Sequence, residues 1–220
     1  VHVTGTAGKG TVAHMIQNML AREYGNAVGL LTSPFATTTI EKISIAEGPE
    51  YPRGIDVYIA HDEFVAIVEE LKPCIEQMAK SKEQREDGAP NYFELIIAIG
   101  FLYFKKKKCK WVVCEVGCGG THDATNVILN TRVAVITNID LDHTQILGKT
   151  LTKIAREKAG IIKNGSGVFT GECRPHLRKI FEKVAKEKNA HLNIVEYEGG
   201  AIEQNKALAR AVGNYLKLQE

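Results

Sequence analysis

Residues 1–24 read V-H-V-T-G-T-A-G-K-G-T-V-A-H-M-I-Q-N-M-L-A-R-E-Y, and they carry the clearest indication of the fold class. Its first four residues are typical of a short strand, and residues 11–24 place apolar side chains on one face of a helix. Between them lies the glycine-rich turn T-G-T-A-G-K-G-T. A strand, a glycine loop and a helix in this order predict an α/β fold with a loop that binds phosphate.

The chemistry expected of this loop follows from its residue types. Glycines let backbone N–H groups crowd an anion, a lysine can reach the β- and γ-phosphates, and a hydroxyl can reach Mg²⁺. The residues predicted to bind ATP are Gly5, Thr6, Ala7, Gly8, Lys9, Gly10 and Thr11. The common pattern G-x-x-x-x-G-K-[ST] is not matched, because Val3 occupies its first glycine position and Gly10 follows the lysine. A plain glycine turn is the alternative.

The rest of the chain alternates β-branched runs with amphipathic segments, which predicts a mostly parallel central sheet covered by helices. Further strands are expected at 27–32, 111–116 and 132–139, and near Val168 and Ile194. Helices are expected at 64–78, with a kink or break at Pro73, and at 93–104, 150–161, 175–188 and 201–218. Residues 47–56 read as a loop and residues 81–91 as a connector. One domain over residues 1–220 is the simplest organisation.

Composition excludes several function classes. A net charge of +2 on 220 residues predicts no nucleic-acid partner and no membrane surface, and the basic run at 105–108 is predicted to be a solvated helix end. No apolar run has transmembrane length. Cys109, Cys114 and Cys118 surround one predicted strand, which raises a metal or iron–sulfur site as one interpretation. Their spacing matches no standard pattern, so buried reduced thiols in a cytoplasmic protein are the prediction.

Several segments carry a family resemblance. The stretch V-H-V-T-G-T-A-G-K-G-T resembles the ATP loop of folylpolyglutamate and dihydrofolate synthases, which are Mur ligases. The other matching segments follow in the family's order along the chain: T-S-P-F at 32–35 with I-E-K-I at 40–43, P-N-Y-F-E at 90–94, E-V-G-C-G-G-T-H-D-A-T-N at 115–126, T-N-I-D-L-D-H-T-Q-I-L-G at 137–148 and I-A-R-E-K-A-G-I-I-K at 154–163. The resemblance covers essentially the whole chain and implies a Mur-ligase central domain with a P-loop.

The resemblance also implies roles for individual residues. Lys9, Glu115, His143 and Lys158 match catalytic positions, and Lys158 matches a lysine that the family carries as a carbamate. The implied ligands of Mg²⁺ are Thr11, Ser33, Glu115 and His143. Phe93, Glu94 and Asp123 fall where the family contacts its pterin-bearing substrate. Without the motifs, Glu115 would be a strand-end glutamate, His143 a hydrogen-bonding residue and Lys158 a helix lysine paired with Glu157 or solvent.

The function implied by the resemblance is ATP-dependent addition of L-glutamate to dihydropteroate or folate through an acyl phosphate. The chain departs from the family at Phe35, Asn91 and the pair Thr121-His122, which concern the acceptor substrate more than ATP. The family's N-terminal extension and C-terminal domain are expected to be absent, so the isolated chain is expected to have little activity. Another Mur-type ligase acting on a peptidoglycan precursor, and a stand-alone ATP-binding module, are the alternatives.

Overall fold

The computed structural model describes residues 1–25, 27–34, 36–46, 57–80 and 90–217. These residues form an eight-stranded sheet of order β4-β3-β2-β5-β1-β6-β7-β8. The strands are β1 (His2–Thr4), β2 (Val28–Leu31), β3 (Ile43–Ala46), β4 (Val57–Tyr58), β5 (Trp111–Glu115), β6 (Val133–Ile136), β7 (Gly167–Thr170) and β8 (His191–Ile194). All neighbouring strands in the part β2-β5-β1-β6-β7-β8 pair in parallel, whereas β3 pairs antiparallel with both β2 and β4. The predicted α/β fold with a mostly parallel sheet is confirmed.

Helices cover both faces of the sheet. They are α1 (Lys9–Tyr24), α2 (His61–Lys80), α3 (Tyr92–Lys106), α4 (Thr144–Leu147), α5 (Leu151–Ala159), α6 (Pro175–Glu187) and α7 (Ala201–Lys217). Helices α1 and α7 pack on one face over Val133 and Val135. The other face carries α5 and α6 over Ala134 and Ile136, with α2 and α3 beyond them over β2 and β3. The continuous apolar strands that the sequence showed are therefore buried on both faces.

The antiparallel edge was missed by the sequence analysis. Strand β3 begins at Ile43, the last residue of the I-E-K-I segment, and β4 contributes only Val57 and Tyr58. Strand β3 follows the short 3₁₀ turn Thr39–Lys42 directly and is fully buried. The predicted loop at 47–56, most of the connector at 81–91, Phe35 and Leu218 lie outside the described residues.

Helix α2 runs through Pro73 from His61 to Lys80, so Pro73 does not break the helix, and the alternative of a kink stays a prediction. Pro73 and Glu69, the residue whose carbonyl loses its helical partner, are both exposed, so water can replace the lost donor. The basic end of α3 is exposed, as predicted, and two of its lysines also form ion pairs. Lys106 lies 2.7 Å from the Glu70 carboxylate, and Lys107 lies 2.8 Å from that of Glu63, which ties α3 to α2.

The cysteines are free thiols. Cys114 is buried, Cys109 and Cys118 are partly buried, and Cys74 and Cys173 are exposed, so burial was predicted correctly only for Cys114. Across the described ranges, no helix combines the length and apolar character needed to cross a membrane.

Candidate nucleotide and substrate site

The glycine loop at residues 4–11, which is predicted to bind phosphate and is called the phosphate loop below, joins β1 to the start of α1. Gly8 is the N-cap of α1 with φ 78°, and Gly5 has φ 148°. A Cβ on Gly5 would lie 1.8 Å from the Thr137 hydroxyl, and a Cβ on Gly8 would lie 2.5 Å from the Asn205 amide oxygen. Only glycine fits at either position. Gly8 has no side chain to cap this helix start, and the Gly10 N–H group bonds to the Glu115 carboxylate, so the neighbouring N–H groups of the first turn can face an anion.

The T-N-I-D segment after β6 holds this loop in place. The Thr6 N–H group donates to the Asn138 carbonyl at 3.0 Å, and the Ala7 N–H group donates to the Asn138 side-chain oxygen at 2.8 Å. The Thr137 hydroxyl donates to the Ala7 carbonyl at 2.6 Å, and the Asp140 N–H group donates to the Thr6 hydroxyl at 2.9 Å. These residues were missed as individual site residues, although the motif that contains them was the signal.

Helix α7 adds two buried amide side chains that the sequence analysis also missed. The Gln204 amide donates to the Thr137 carbonyl at 3.1 Å, and Asn205 packs against Gly8. Both lie on the buried face of α7, next to Leu208 and Ala209. Polar side chains on a buried helix face were the available signal, because such groups need partners. The phosphate loop is therefore held from β6 and from α7 together.

Glu115 ends β5 beside the phosphate loop. It is 4% exposed, and its carboxylate accepts a hydrogen bond from the Ser33 N–H group at 2.9 Å. A Cβ on Gly10 would lie 3.4 Å from the same carboxylate oxygen. Burial raises the pKa of Glu115, and the Ser33 N–H group and the nearby Lys9 ammonium oppose that rise. A buried carboxylate with only partial compensation suits a bound cation.

The remaining metal candidates lie at the same edge of the sheet. Thr11 is in the first turn of α1, and His143 follows β6 as the N-cap of α4, with its ring 3.5 Å from the Asp142 carboxylate. Among the described residues, no three His, Cys, Asp or Glu side chains gather closely enough to hold a metal. A tight all-protein metal cage is therefore not seen there, whereas Mg²⁺ bound with a nucleotide needs only one or two carboxylates and takes phosphate oxygens as further ligands.

Lys158 is 2% exposed on the inner face of α5. Burial lowers its pKa to about 8, and the positive charge of Lys9 adds to this effect. The G-C-G-G-T segment after β5 lies directly against α5, where the Thr121 N–H group donates to the Glu157 carbonyl at 3.0 Å. A Cβ on Gly120 would lie 2.7 Å from that carbonyl oxygen. The glycines of this motif thus allow the close approach that buries Lys158.

Two of the three predicted acceptor residues meet around Gly117. A Cβ on Gly117 would lie 2.7 Å from the ring of Phe93 and 3.1 Å from the Asp123 carboxylate. Lys42, which the sequence analysis did not single out, is 7% exposed, with its ammonium 5.7 Å from the centre of the Phe93 ring. The substrate role of the third, Glu94, stays a prediction; in the structure its carboxylate accepts from the Asn91 N–H group at 2.8 Å and its own N–H group donates back to Asn91. This reciprocal pair is a capping box that starts α3.

A groove of 880 Å³ leads away from the phosphate loop between α1 and α7. It begins at Gly10 and Thr11 and passes His14, and its basic residues are Arg22, Lys206 and Arg210. Its size is that of a small-molecule site.

Comparison with known proteins assigns the family. Residues 3–213 match the Mur ligase middle domain. The chain is 40% identical over 190 residues to the dihydrofolate synthase/folylpolyglutamate synthase of Bacillus subtilis, which covers 86% of this chain and 41% of that protein. The chain therefore spans about two fifths of the length of that curated relative.

Solved structures agree. The folylpolyglutamate synthase of Mycobacterium tuberculosis complexed with ADP matches with a TM-score of 0.83 and 26% identity, covering 98% of this chain and 53% of that one. An FPGS–AMPPCP–folate complex matches with a TM-score of 0.83 and 29% identity, covering 97% of this chain and 56% of that one. The resemblance inferred from the motifs is thereby confirmed, and the chain belongs to the Mur ligase middle domain family.

Proposed function

We propose that this chain is the ATP-binding part of a ligase that adds L-glutamate to a folate or to dihydropteroate. The observation that carries the proposal is a phosphate loop clamped beside a buried acid, Glu115, and a buried amine, Lys158. Relatives named as folylpolyglutamate synthases, with ADP in one case and with AMPPCP and folate in another, support the nucleotide and the acceptor.

The nucleotide is expected to bind with its phosphates at the start of α1. N–H groups of the first turn and the Lys9 ammonium attract the β- and γ-phosphates. The adenosine half then extends into the groove between α1 and α7. Asn138 and Asn205 act by holding the loop in the shape that the phosphates require.

Mg²⁺ fits the donor set next to this loop. Glu115 supplies a buried carboxylate, Thr11 and Ser33 supply hydroxyl oxygens, and His143 supplies an imidazole, which together suit Mg²⁺ or Mn²⁺. When bound with ATP, the ion would neutralise phosphate charge.

The reaction we infer has two steps. The acceptor's carboxylate oxygen attacks the γ-phosphorus, the bond to the ADP oxygen breaks, and an acyl phosphate forms. The glutamate amine then attacks the acyl carbon, phosphate leaves, the amine loses a proton, and an amide forms. Lys9 and the loop N–H groups stabilise the negative charge that develops on the transferring phosphoryl group.

Lys158 is proposed to be carbamylated. The neutral amine attacks CO₂, a C–N bond forms and a proton is released, which converts an ammonium into an anion. A pKa of about 8 leaves a useful fraction of neutral amine near physiological pH. The resulting anion would lie near the positive charge of Lys9, which now lowers the lysine pKa and would then stabilise the carbamate.

The test uses the full-length protein with ATP, a folate or dihydropteroate, and L-glutamate, and measures ADP release. We expect turnover that requires both substrates, and Lys9→Ala should lower it about a hundredfold or more. Lys183→Ala is the control, because that side chain is 78% exposed on α6. Turnover with a different carboxylate only, nucleotide binding without turnover, or equal rates for the two variants would refute the proposal.

A further inference from the structure

A buried histidine on β1 is connected to the acceptor side of the site. His2 is fully buried, and its Nε2 lies 2.8 Å from the Thr125 hydroxyl. Thr125 is also fully buried, in the short 3₁₀ turn Ala124–Val127, and its hydroxyl lies 2.5 Å from one oxygen of the Asp123 carboxylate. These contacts link the middle of the sheet to a predicted substrate residue.

Counting donors fixes the direction of each hydrogen bond. A carboxylate only accepts, so the Thr125 hydroxyl must donate its single hydrogen to Asp123. The Thr125 oxygen is then an acceptor towards His2, which requires a hydrogen on Nε2. The Nδ1 atom of His2 carries the lone pair, and no partner for it is present among the described residues. A proton on Nδ1 would bury an unpaired N–H group, which agrees with a His2 pKa that burial lowers to about 3.

Asp123 is held through both of its oxygens. The oxygen bonded to the Thr125 hydroxyl also accepts from the Thr125 N–H group at 3.0 Å, and the other accepts from the Cys118 N–H group at 2.8 Å. Gly117 separates this carboxylate from the ring of Phe93. The hydrogen bonds that run from His2 through Thr125 to Asp123, called the relay below, therefore fix how the Asp123 carboxylate is oriented relative to the Phe93 ring.

We propose that His2 is a positioning residue, which acts through Thr125 to hold the Asp123 carboxylate ready for N–H donors of the acceptor substrate. The proposal rests on the proposed function, because it assumes that Asp123 contacts the acceptor. A relay of this kind affects the binding of the acceptor and leaves ATP binding unchanged. A hydrogen-bonded network that serves only the fold would affect stability without this selectivity.

The kinetic test compares two pairs of variants of the full-length protein. Thr125→Val and His2→Leu remove the relay, whereas Thr125→Ser and His2→Gln keep a hydroxyl and a donor. We expect the relay-breaking variants to raise the acceptor KM about tenfold while the ATP KM stays within about twofold, and the conservative variants to remain close to wild type. Thermal denaturation of each variant verifies that it is folded. Lower stability or kcat with an unchanged acceptor KM would overturn the proposal.

A second measurement does not depend on turnover. The ¹⁵N chemical shifts of the His2 ring should show a neutral ring protonated on Nε2 between about pH 5.5 and 8. A hydrogen on Nδ1 would overturn the relay whatever the kinetics show. If wild type lacked acceptor-dependent turnover, the proposed function would fail, and the ring shifts would still decide whether the relay exists.

Discussion

Replacing the buried amine of Lys158 should stabilise the protein in a pH-dependent way. Lys158 is 2% exposed, and folding lowers its pKa from 10.5 to about 8. Between these pH values the unfolded chain binds more protons than the folded one, so the stability of wild type rises with pH. Below pH 8 both states are protonated and the full cost of burying the ammonium remains. The difference between 10.5 and 8 corresponds to about 3 kcal/mol.

Lys158→Met preserves most of the side-chain volume and removes this cost. The quantity compared is the free energy of unfolding of the variant minus that of wild type. We expect this difference to be up to about 3 kcal/mol more favourable to the variant at pH 7 than at pH 10.5. Urea unfolding in bicarbonate-free buffer, followed by the fluorescence of Trp111, the single tryptophan, measures the free energy of unfolding. Lys183→Met is the control, because it removes the same charge from a side chain that is 78% exposed. If the difference between Lys158→Met and wild type were the same at both pH values, the reasoning about burial would be wrong.

Two further predictions concern how the site is held. Gly120→Ala should lower Tm by about 3–10 °C, because an added methyl group that must displace a backbone carbonyl costs about 1–3 kcal/mol. Gly200→Ala is the matched control in thermal denaturation, since its nearest neighbour would lie 3.7 Å away on a flexible side chain, and equal losses would contradict the packing argument. Asn138→Ala should weaken ATP binding about three- to tenfold in calorimetric titration by freeing the Ala7 N–H group. Asn193→Ala on β8 is the control and should leave ATP affinity unchanged. If Asn138→Ala and Asn193→Ala bound ATP equally well, the proposed role of Asn138 in holding the phosphate loop would be excluded.

The fold was predictable because its signals are local. Central strands such as β5 and β6 are short β-branched runs, and long helices such as α6 have their own apolar face, so residues 111–116 and 175–188 could be assigned without knowing their neighbours. At the antiparallel edge, β4 is only two residues long, which is too short for such a signal, and β3 is a four-residue strand whose signal, Ile43 and Ile45, was overlooked. At Pro73 a local signal was present but the predicted break is absent, because the exposed position of Pro73 on a peripheral helix lets α2 continue through it.

The residues of the site also form two groups, those that local sequence predicts and those that it does not. Lys9 and Glu115 could be proposed from motifs, since each stands at a recognisable strand end or helix start. The supporting residues could not be assigned in this way, because their contacts join distant parts of the chain. Ala7 and Asn138 are 131 positions apart, and His2 and Thr125 are 123 apart. Such pairs become neighbours only once the order of strands in the sheet is known.

That order explains why the motifs act together. Strand β1 lies between β5 and β6 and is parallel to both, so the segments that follow the three strands emerge side by side at one edge. The phosphate loop follows β1, Glu115 ends β5, and Thr137 and Asn138 follow β6. Open α/β sheets bind ligands at such an edge, where connections leave in opposite directions. The connections leave in opposite directions here. In the strand order, β1 connects through α1 to β2 on one side of β1, whereas β6 leads through α4 and α5 to β7 on the other side.

The absence of a side chain at Gly120 lets α5 approach the same edge, which brings the buried Lys158 close to Lys9. The separation of these motifs in sequence is therefore a consequence of strand order, and their meeting at one edge places the glycine loop, the buried acid and the buried amine in the one site proposed to bind phosphate.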